Sequence, residues 1–510
     1  MIRRSLRAGV GVPVRALSPE FERLRAELSI PTGYPEPVIA EATRVAAIAP
    51  GDLPGGPRDD DRDIDFVTID PPWSVDLDQA LHLSRRGDGY LVRYAIADVG
   101  AYVRPGTALA VECGERGLTF YGPDGRFGLH PPVLSEDAAS LLPDRDRAAI
   151  VWSIGLDAGG EITDVAARRS LVRSRAQLNY PAVQADLDAG RAGAMLELLP
   201  VIGDLRTDRQ LDRGGASLEI PEQEVNVDDR DHYVLTFRST LPVEDHNAQI
   251  SLLTGIAAAR LMRQIGVGIF RTLEPARTAD LERLRAVAAA LHLDWPADQP
   301  YGRFVRTLDT ANPAHSAFAQ EATGLFRGAG YTDFVDGAPD NARHSAIAAE
   351  YAHVTAPLRR LVDRFGLEIA VAATAGTEVP AWVREGLPAL PKAMARAGAK
   401  AGSYERGGVD LIEAFTLADR LGERFEGVIV ERAAAKAGRN GTGKGAAKDG
   451  GTDGAAAAEV DRGAVVIPDD AIRARAVAAD GATLPLGEQI PVTLIEADVA
   501  SRAVVFEYRP

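Results

Sequence analysis

The segment Ile69-Asp70-Pro71-Pro72-Trp73-Ser74-Val75-Asp76-Leu77-Asp78-Gln79-Ala80 places three aspartates within nine residues, and two prolines stiffen the path between them. Hard divalent cations need several oxygen ligands converging on one point. A rigid turn with Asp at alternate positions can supply them. Magnesium takes few carboxylates and keeps waters or phosphate oxygens, which suits phosphoryl chemistry. The same spacing also describes a solvated acidic loop or a cluster of Asx turns. The Gly and distal Glu of an EF-hand calcium loop are missing. From spacing alone both readings stand.

A second constellation is Tyr351-Ala352-His353-Val354-Thr355-Ala356-Pro357-Leu358-Arg359-Arg360-Leu361-Val362-Asp363. Thr355 is placed to cap a helix whose first turn would carry Arg359 and Arg360. Arginine binds phosphate bidentately, and a helix N-terminus favours anions. The plainer reading is a surface arginine pair, with Arg359 four residues from Asp363. A third group is Lys392, Arg396 and Lys400, one helical face by their spacing of four, followed by Ser403-Tyr404-Glu405-Arg406. Such a stripe either lines a polyanion channel or is a solvated face.

The elements that must position these residues follow from periodicity. Helices are expected over 18–48, with Ser18-Pro19 as cap and first turn. A Gly/Pro/Asp linker follows at 51–63. Strands are expected from 64, with Gly87-Asp88-Gly89 as a hairpin turn, and again near 149–157 and 161–172. Helices follow over 246–264, 278–293, 311–328, 341–353, 358–375 and 390–420. From 424 to 510 short strands return and fit a small OB-like barrel. They are interrupted by a low-complexity Ala/Gly/Lys/Asp stretch at 433–459, read as a disordered loop. The fold class expected is α+β: a mixed sheet surrounded by helices over 64–423, preceded by a basic arm and short helices at 1–50.

Composition bounds the function. The chain has 510 residues and a formal charge of −16, so no broad basic face can hold a polyanion. A local basic lining, or cations held by carboxylates, still could. With one cysteine, Cys113, neither a disulfide within the chain nor a Cys-rich zinc site can form. A reducing cytoplasm is the simplest location. No stretch approaches the roughly 18 apolar residues of a spanning helix, so no membrane partner is expected.

Taken in order, these segments resemble the ribonuclease II / ribonuclease R (RNB) family over most of residues 60–420. The aspartate loop is similar to that family's "IDPxxxxDxDDA". YAIADVGAYV resembles "HIADVSxYV", and GERGLTFYGPDGRFGLHPPVLSEDAASLLP resembles "RGTSVYxxxxxIPMLPxxLSxxxCSL". PVEDHNAQISLLTGIAAARLM is similar to "VEExMIxAN", YAHVTAPLRRLVD to "YxHFTSPIRRYxD", and SYER to "AER". Only about 60 residues precede the match, so a short form without the family's two N-terminal cold-shock barrels is expected.

The resemblance implies a monomeric 3′→5′ exoribonuclease that hydrolyses single-stranded RNA to 5′-nucleoside monophosphates with Mg²⁺, or Mn²⁺ in its place. It makes Asp70, Asp76 and Asp78 metal ligands. Arg359 becomes the phosphate-contacting arginine, helped by Arg360, Glu405 a catalytic glutamate, and Tyr121 the ring that stacks on the RNA 3′ end. The catalytic set is then Asp78, Arg359 and Glu405. The fourth acid of the loop is replaced by Gln79, a neutral ligand at best. Over 424–510 there are 11 basic and 13 acidic residues and few aromatics for base stacking. These departures carry a second reading, a catalytically weak or inactive RNA-binding protein of the same fold.

Overall fold

The computed structural model describes residues 12–218, 220–340, 342–432, 460–479 and 481–510. The expected disordered loop at 433–459, and most of the basic arm, lie outside the described residues. A six-stranded mixed sheet carries the site. Its order is Asp59–Asp60, Ile162–Leu178, Phe66–Ile69, Gln79–Arg86, Gly89–Ala97, Asp146–Leu156. The 17-residue strand Ile162–Leu178 also pairs antiparallel with Asp146–Leu156, so the sheet closes back on itself through one strand. Arg86 pairs with Gly89, leaving the two-residue turn Gly87-Asp88; Gly87 takes φ +57°, which such hairpins need.

Two helices cover this sheet. Pro242–Ile265 starts on a proline, buries Ile250, Leu253, Ala257 and Leu261, and ends at Gly266 in the left-handed conformation. Leu361–Ala375 packs on both that helix and the strand Ile162–Leu178, and stops at Gly376, φ +64°. Trp152 and Tyr94 fill the core between sheet and helices.

The structure corrects several expected boundaries. The first helix is Val14–Leu28 and starts before Ser18, whose hydroxyl donates back to the Val14 carbonyl; Pro19 falls within the helix. Among the described residues of the expected 341–353 helix no helix forms, and turns and isolated bridges run instead. The expected 358–375 helix starts only at Leu361, so Thr355 caps nothing and Arg359 and Arg360 precede the helix. The hairpin Glu222–Val227 with His232–Arg238, to which Val12–Pro13 adds a third strand, was not legible. Two of the three residues of the stripe on Leu390–Leu417 are engaged with backbone carbonyls. Arg396 donates to the Gly114 and Glu115 carbonyls, and Lys400 to the Ser29 carbonyl, all at or near helix C-termini.

The C-terminal strands close into a five-stranded barrel, ordered Arg424–Arg432, Arg462–Ile467, Ile472–Ala478, Ala503–Tyr508, Gln489–Asp498. The strand Ile472–Ala478 alternates buried Ile472, Ala474 and Ala476 with outward Arg473 and Arg475; its small interior residues hid it. The barrel core continues onto the long helix through Ala414 and Leu417. Beside that seam the buried Glu413 accepts hydrogen bonds from the Arg473 N–H at 2.8 Å and from Gln223 Nε2 at 2.7 Å. Burial nevertheless pushes its pKa up to about 7. The folded protein therefore prefers the proton, and stability falls as pH rises from the ordinary glutamate range through about 7. Glu413→Gln is expected to stabilise by roughly 1–3 kcal/mol at pH 8 and to make little difference at pH 4. Urea denaturation at the two pH values checks this. Among the described residues no helix is long and apolar enough to cross a membrane.

Candidate active site

Asp70 ends the strand Phe66–Ile69, where its N–H donates to the Leu178 carbonyl at 3.0 Å. The chain then turns through Pro71–Ser74 and returns as Asp76-Leu77-Asp78 before entering the strand at Gln79. Ser140 holds the return: it accepts from the Leu77 N–H at 2.9 Å and donates to the Val75 carbonyl at 2.7 Å. Asp78 is thereby driven inward, to 4% exposure.

The segment 355–360 meets Asp78 as irregular backbone. The Leu358 N–H donates to Asp78 Oδ1 at 2.8 Å, and Arg359 Nε lies 3.5 Å from Asp78 Oδ2. The Arg359 side chain is 48% exposed, so its guanidinium is only partly committed to Asp78. Arg360 is turned the other way. It pairs with Asp363 at 2.8–2.9 Å, and Asp363 also accepts from the Ala356 N–H. Arg360 therefore clamps this loop through Asp363.

Burial pushes the Asp78 pKa up to about 8, and Asp363 and Asp76 add to the rise; Arg359 and the Leu358 N–H oppose it. Asp70 rises to about 6, again by burial, with Asp76 adding and Arg359 opposing. Two carboxylates are thus held near one arginine that does not fully neutralise them. Asp76 is drawn aside: its carboxylate pairs with Arg126, which also holds Glu136 at 2.5 Å. Among the described residues no three acidic, His or Cys side chains converge on a common metal position. Asp76 is paired with Arg126, and Asp70 and Asp78 are the two buried carboxylates of the expected set.

Gln79 is engaged through its amide nitrogen. Its side-chain amide donates to the Thr355 carbonyl, which can only accept, so Gln79 ties the start of its strand to the arginine loop. A carboxylate there would face that carbonyl. Gln79→Asp is expected to cost about 1–3 kcal/mol and to lower activity through disorder of 355–360. Thermal unfolding in EDTA, compared with Gln79→Ala, checks it: an aspartate no worse than alanine would contradict the repulsion.

Tyr121 sits on a hairpin, Phe120–Gly122 paired with Gly125–Phe127, directly opposite Arg126. The strand leading into it is zipped to the arginine loop: Thr119 N–H donates to the Arg359 carbonyl at 3.1 Å and Leu361 N–H to the Gly117 carbonyl at 3.0 Å. Burial of its hydroxyl end and the Asp76 charge raise the phenol pKa, and Arg359 lowers it, while the residue as a whole stays 43% exposed. Tyr121 is thus assembled with Asp76, Asp78 and Arg359. Glu405 is exposed on the helix Leu390–Leu417, and its side chain makes no hydrogen bond or ion pair with any described residue. Its neighbour Tyr404 is buried under the hairpin, where its hydroxyl donates to Asp124.

Sequence reasoning missed one supporting chain. His130 Nε2 lies 3.2 Å from the Pro357 carbonyl, and His130 Nδ1 lies 3.2 Å from Cys113 Sγ. Burial holds the histidine neutral, with a pKa near 4, and the thiol protonated, with a pKa near 12. The Nε2–H must then donate to the carbonyl while the thiol donates to Nδ1. That carbonyl belongs to the same peptide group as the Leu358 N–H that binds Asp78. His130 therefore braces the peptide that holds the central carboxylate. A lone Cys and a His 17 residues apart carried no signal of this.

Comparison with known proteins agrees with this architecture. An RNB domain matches residues 58–366, and an RNase II-type exonuclease C-terminal S1 domain matches residues 452–509. Ribonuclease R of Escherichia coli is 29% identical over 349 residues, covering 66% of this chain and 42% of that protein. Ribonuclease R of Aquifex aeolicus is 26% identical over 420 residues, covering 79% and 58%. The exosome complex exonuclease RRP44 homolog A of Arabidopsis thaliana is 28% identical over 347 residues, covering 62% and 36%. The chain thus spans between about a third and three fifths of the length of these relatives. In structure, Mycoplasma genitalium ribonuclease R in complex with ribose methylated single-stranded RNA superposes with TM-score 0.81, at 17% identity, over 96% of this chain and 78% of that one. The yeast pseudonuclease Ssd1 shares the fold at TM-score 0.59 and 14% identity, over 83% of this chain and 51% of that one. With the RNB match covering more than half of its length and the barrel matched beyond it, the chain belongs to the RNB family.

Proposed function

We propose that the chain is a Mg²⁺-dependent 3′→5′ exoribonuclease that releases 5′-nucleoside monophosphates from single-stranded RNA. The observation that carries this reading is the buried Asp78, bound by the Leu358 N–H and faced by a half-exposed Arg359. Its homologues named ribonuclease R support the substrate class. The donor set fits a small hard cation: magnesium uses one or two carboxylates and takes further oxygens from water and phosphate. Asp70 and Asp78 would hold it, and Mn²⁺ would be accepted by the same oxygens. Bound there, the cation supplies Lewis acidity toward a phosphate oxygen and water.

The chain's own residues do the rest. Arg359 turns from Asp78 toward the scissile phosphate, where a guanidinium offsets developing charge. Arg360 and His130 keep the loop in place beneath it. Tyr121 stacks on the 3′-terminal base. Glu405, free of partners, orients water by analogy with the family glutamate it matches. The test is a gel time course of 5′-labelled single-stranded RNA with Mg²⁺, Mn²⁺ or EDTA. A metal-dependent ladder shrinking from the 3′ end to a short limit product is expected. Intact RNA with a retarded complex would favour the second reading, an RNA-binding protein that kept the fold. Gln79 and the engaged Asp76 are the observations on that side.

A further inference from the structure

Beside the carboxylates stands a residue that the catalytic scheme leaves unused. Trp73 is 78% exposed, and none of the described residues gives its ring a hydrogen bond, aromatic or cationic partner. The other three tryptophans are all engaged. Trp152 is fully buried, Trp295 stacks on Phe304 with centroids 4.7 Å apart, and Trp382 packs edge-on against Phe365 at 5.0 Å.

The backbone under Trp73 is pinned. The Ser74 N–H donates to the Pro71 carbonyl at 2.9 Å and closes a turn with Trp73 inside it. The Ser74 carbonyl accepts from Gln177 Nε2 at 2.8 Å, and Ser140 fixes Val75 and Leu77 just beyond. A large ring is thus held out into solvent by a rigid turn between prolines and fixed carbonyls. Two residues separate it from Asp70 and two from Asp76, so its Cα lies within about 10 Å of each by chain reach. Val75, 40% exposed, and Tyr121, 43% exposed, are apolar neighbours of the same carboxylates.

Charge narrows what the ring can meet. Segment 69–80 has three aspartates and no Lys or Arg. It can attract a nucleic acid only through stacking or through cations. Stacking on an indole is indifferent to the sign of the surrounding charge and to base identity. One indole rimmed by carboxylates is too small and too charged for a protein interface, which needs a contiguous apolar patch.

We propose that Trp73 is a base-stacking platform on the carboxylate turn, holding a nucleobase of the RNA near its 3′ end apart from the base taken by Tyr121. This rests on the RNA-binding part of the function proposed above. It makes the carboxylate turn a substrate-gripping element as well as a source of ligands, and so compensates for the sparse positive charge.

The test titrates the full-length protein in EDTA with an unlabelled oligouridylate while reading tryptophan emission. Polarisation of a 5′-labelled copy of the same oligomer is followed in parallel. The expected result is quenching that saturates with the polarisation curve and disappears in Trp73→Leu. That variant should bind roughly 5- to 100-fold more weakly, the range for loss of one stacked base, and Trp73→Phe should recover most of the affinity. Because the ring is solvated, both variants should unfold at the wild-type temperature. Normal polarisation with unchanged emission, and Trp73→Leu binding as wild type, would overturn the platform and leave RNA binding intact. No polarisation change with any protein would overturn both.

Discussion

Asp78→Asn is expected to lower the turnover of single-stranded RNA on the order of 10³-fold while RNA affinity stays near wild type. Asparagine keeps an oxygen for the Leu358 N–H, so the loop at 355–361 retains its anchor. What disappears is the negative charge, both as a cation ligand and as the partner of Arg359. Asp78 is only 4% exposed and its burial already favours the neutral form, so a neutral amide costs the fold little. The variant should be at least as stable as wild type, which separates lost chemistry from lost folding. Single-turnover kinetics, polarisation and thermal unfolding together check the three statements. Weakened binding with normal turnover would refute the assignment.

Arg359→Ala should produce the second largest loss, roughly 10²- to 10³-fold in kcat/KM. Its backbone carbonyl still receives the Thr119 N–H, so the zipper to the Tyr121 hairpin survives truncation. Arg359→Lys should recover part of the loss, since an ammonium restores charge but not the two-pronged fork. Arg360→Ala should behave differently. It strips Asp363, buried at the start of the helix Leu361–Ala375, of its cation and should lower the unfolding temperature first. Comparing the two adjacent arginines by activity and by melting separates phosphate contact from loop support. Equal melting losses in both would contradict that separation.

That contrast marks the boundary between what was legible in the chain and what was not. The strand–turn–strand around Asp70 and Asp78, the Gly87-Asp88 hairpin and the alternating strands from 424 are local patterns, and local patterns survive into the fold. Arg359 and Arg360 are identical in type and adjacent, so no periodicity could assign one to Asp78 and the other to Asp363. The Arg359 and Arg360 N–H groups close only a local turn on the Ala356 carbonyl, while the Arg359 carbonyl and the Leu361 N–H are taken by Thr119 and Gly117, some 240 residues away in the chain. Gln79 looked like a weakened ligand because the family resemblance places it at the fourth acid of the loop. In space its neighbour is the Thr355 carbonyl, and that makes it a donor.

By itself the amino-acid sequence determined the α+β class, the C-terminal barrel, the family resemblance and the residues around which the site forms. Each of these is written in short-range periodicity or in motif order. Only the tertiary structure decided which carboxylates are buried and which is neutralised. Asp70, Asp76 and Asp78 are alike as residue types, yet burial raises Asp70 to about 6 and Asp78 to about 8, while Arg126 claims Asp76. A carboxylate's character is set by desolvation and by the charge that reaches it, and both come from segments distant in the chain.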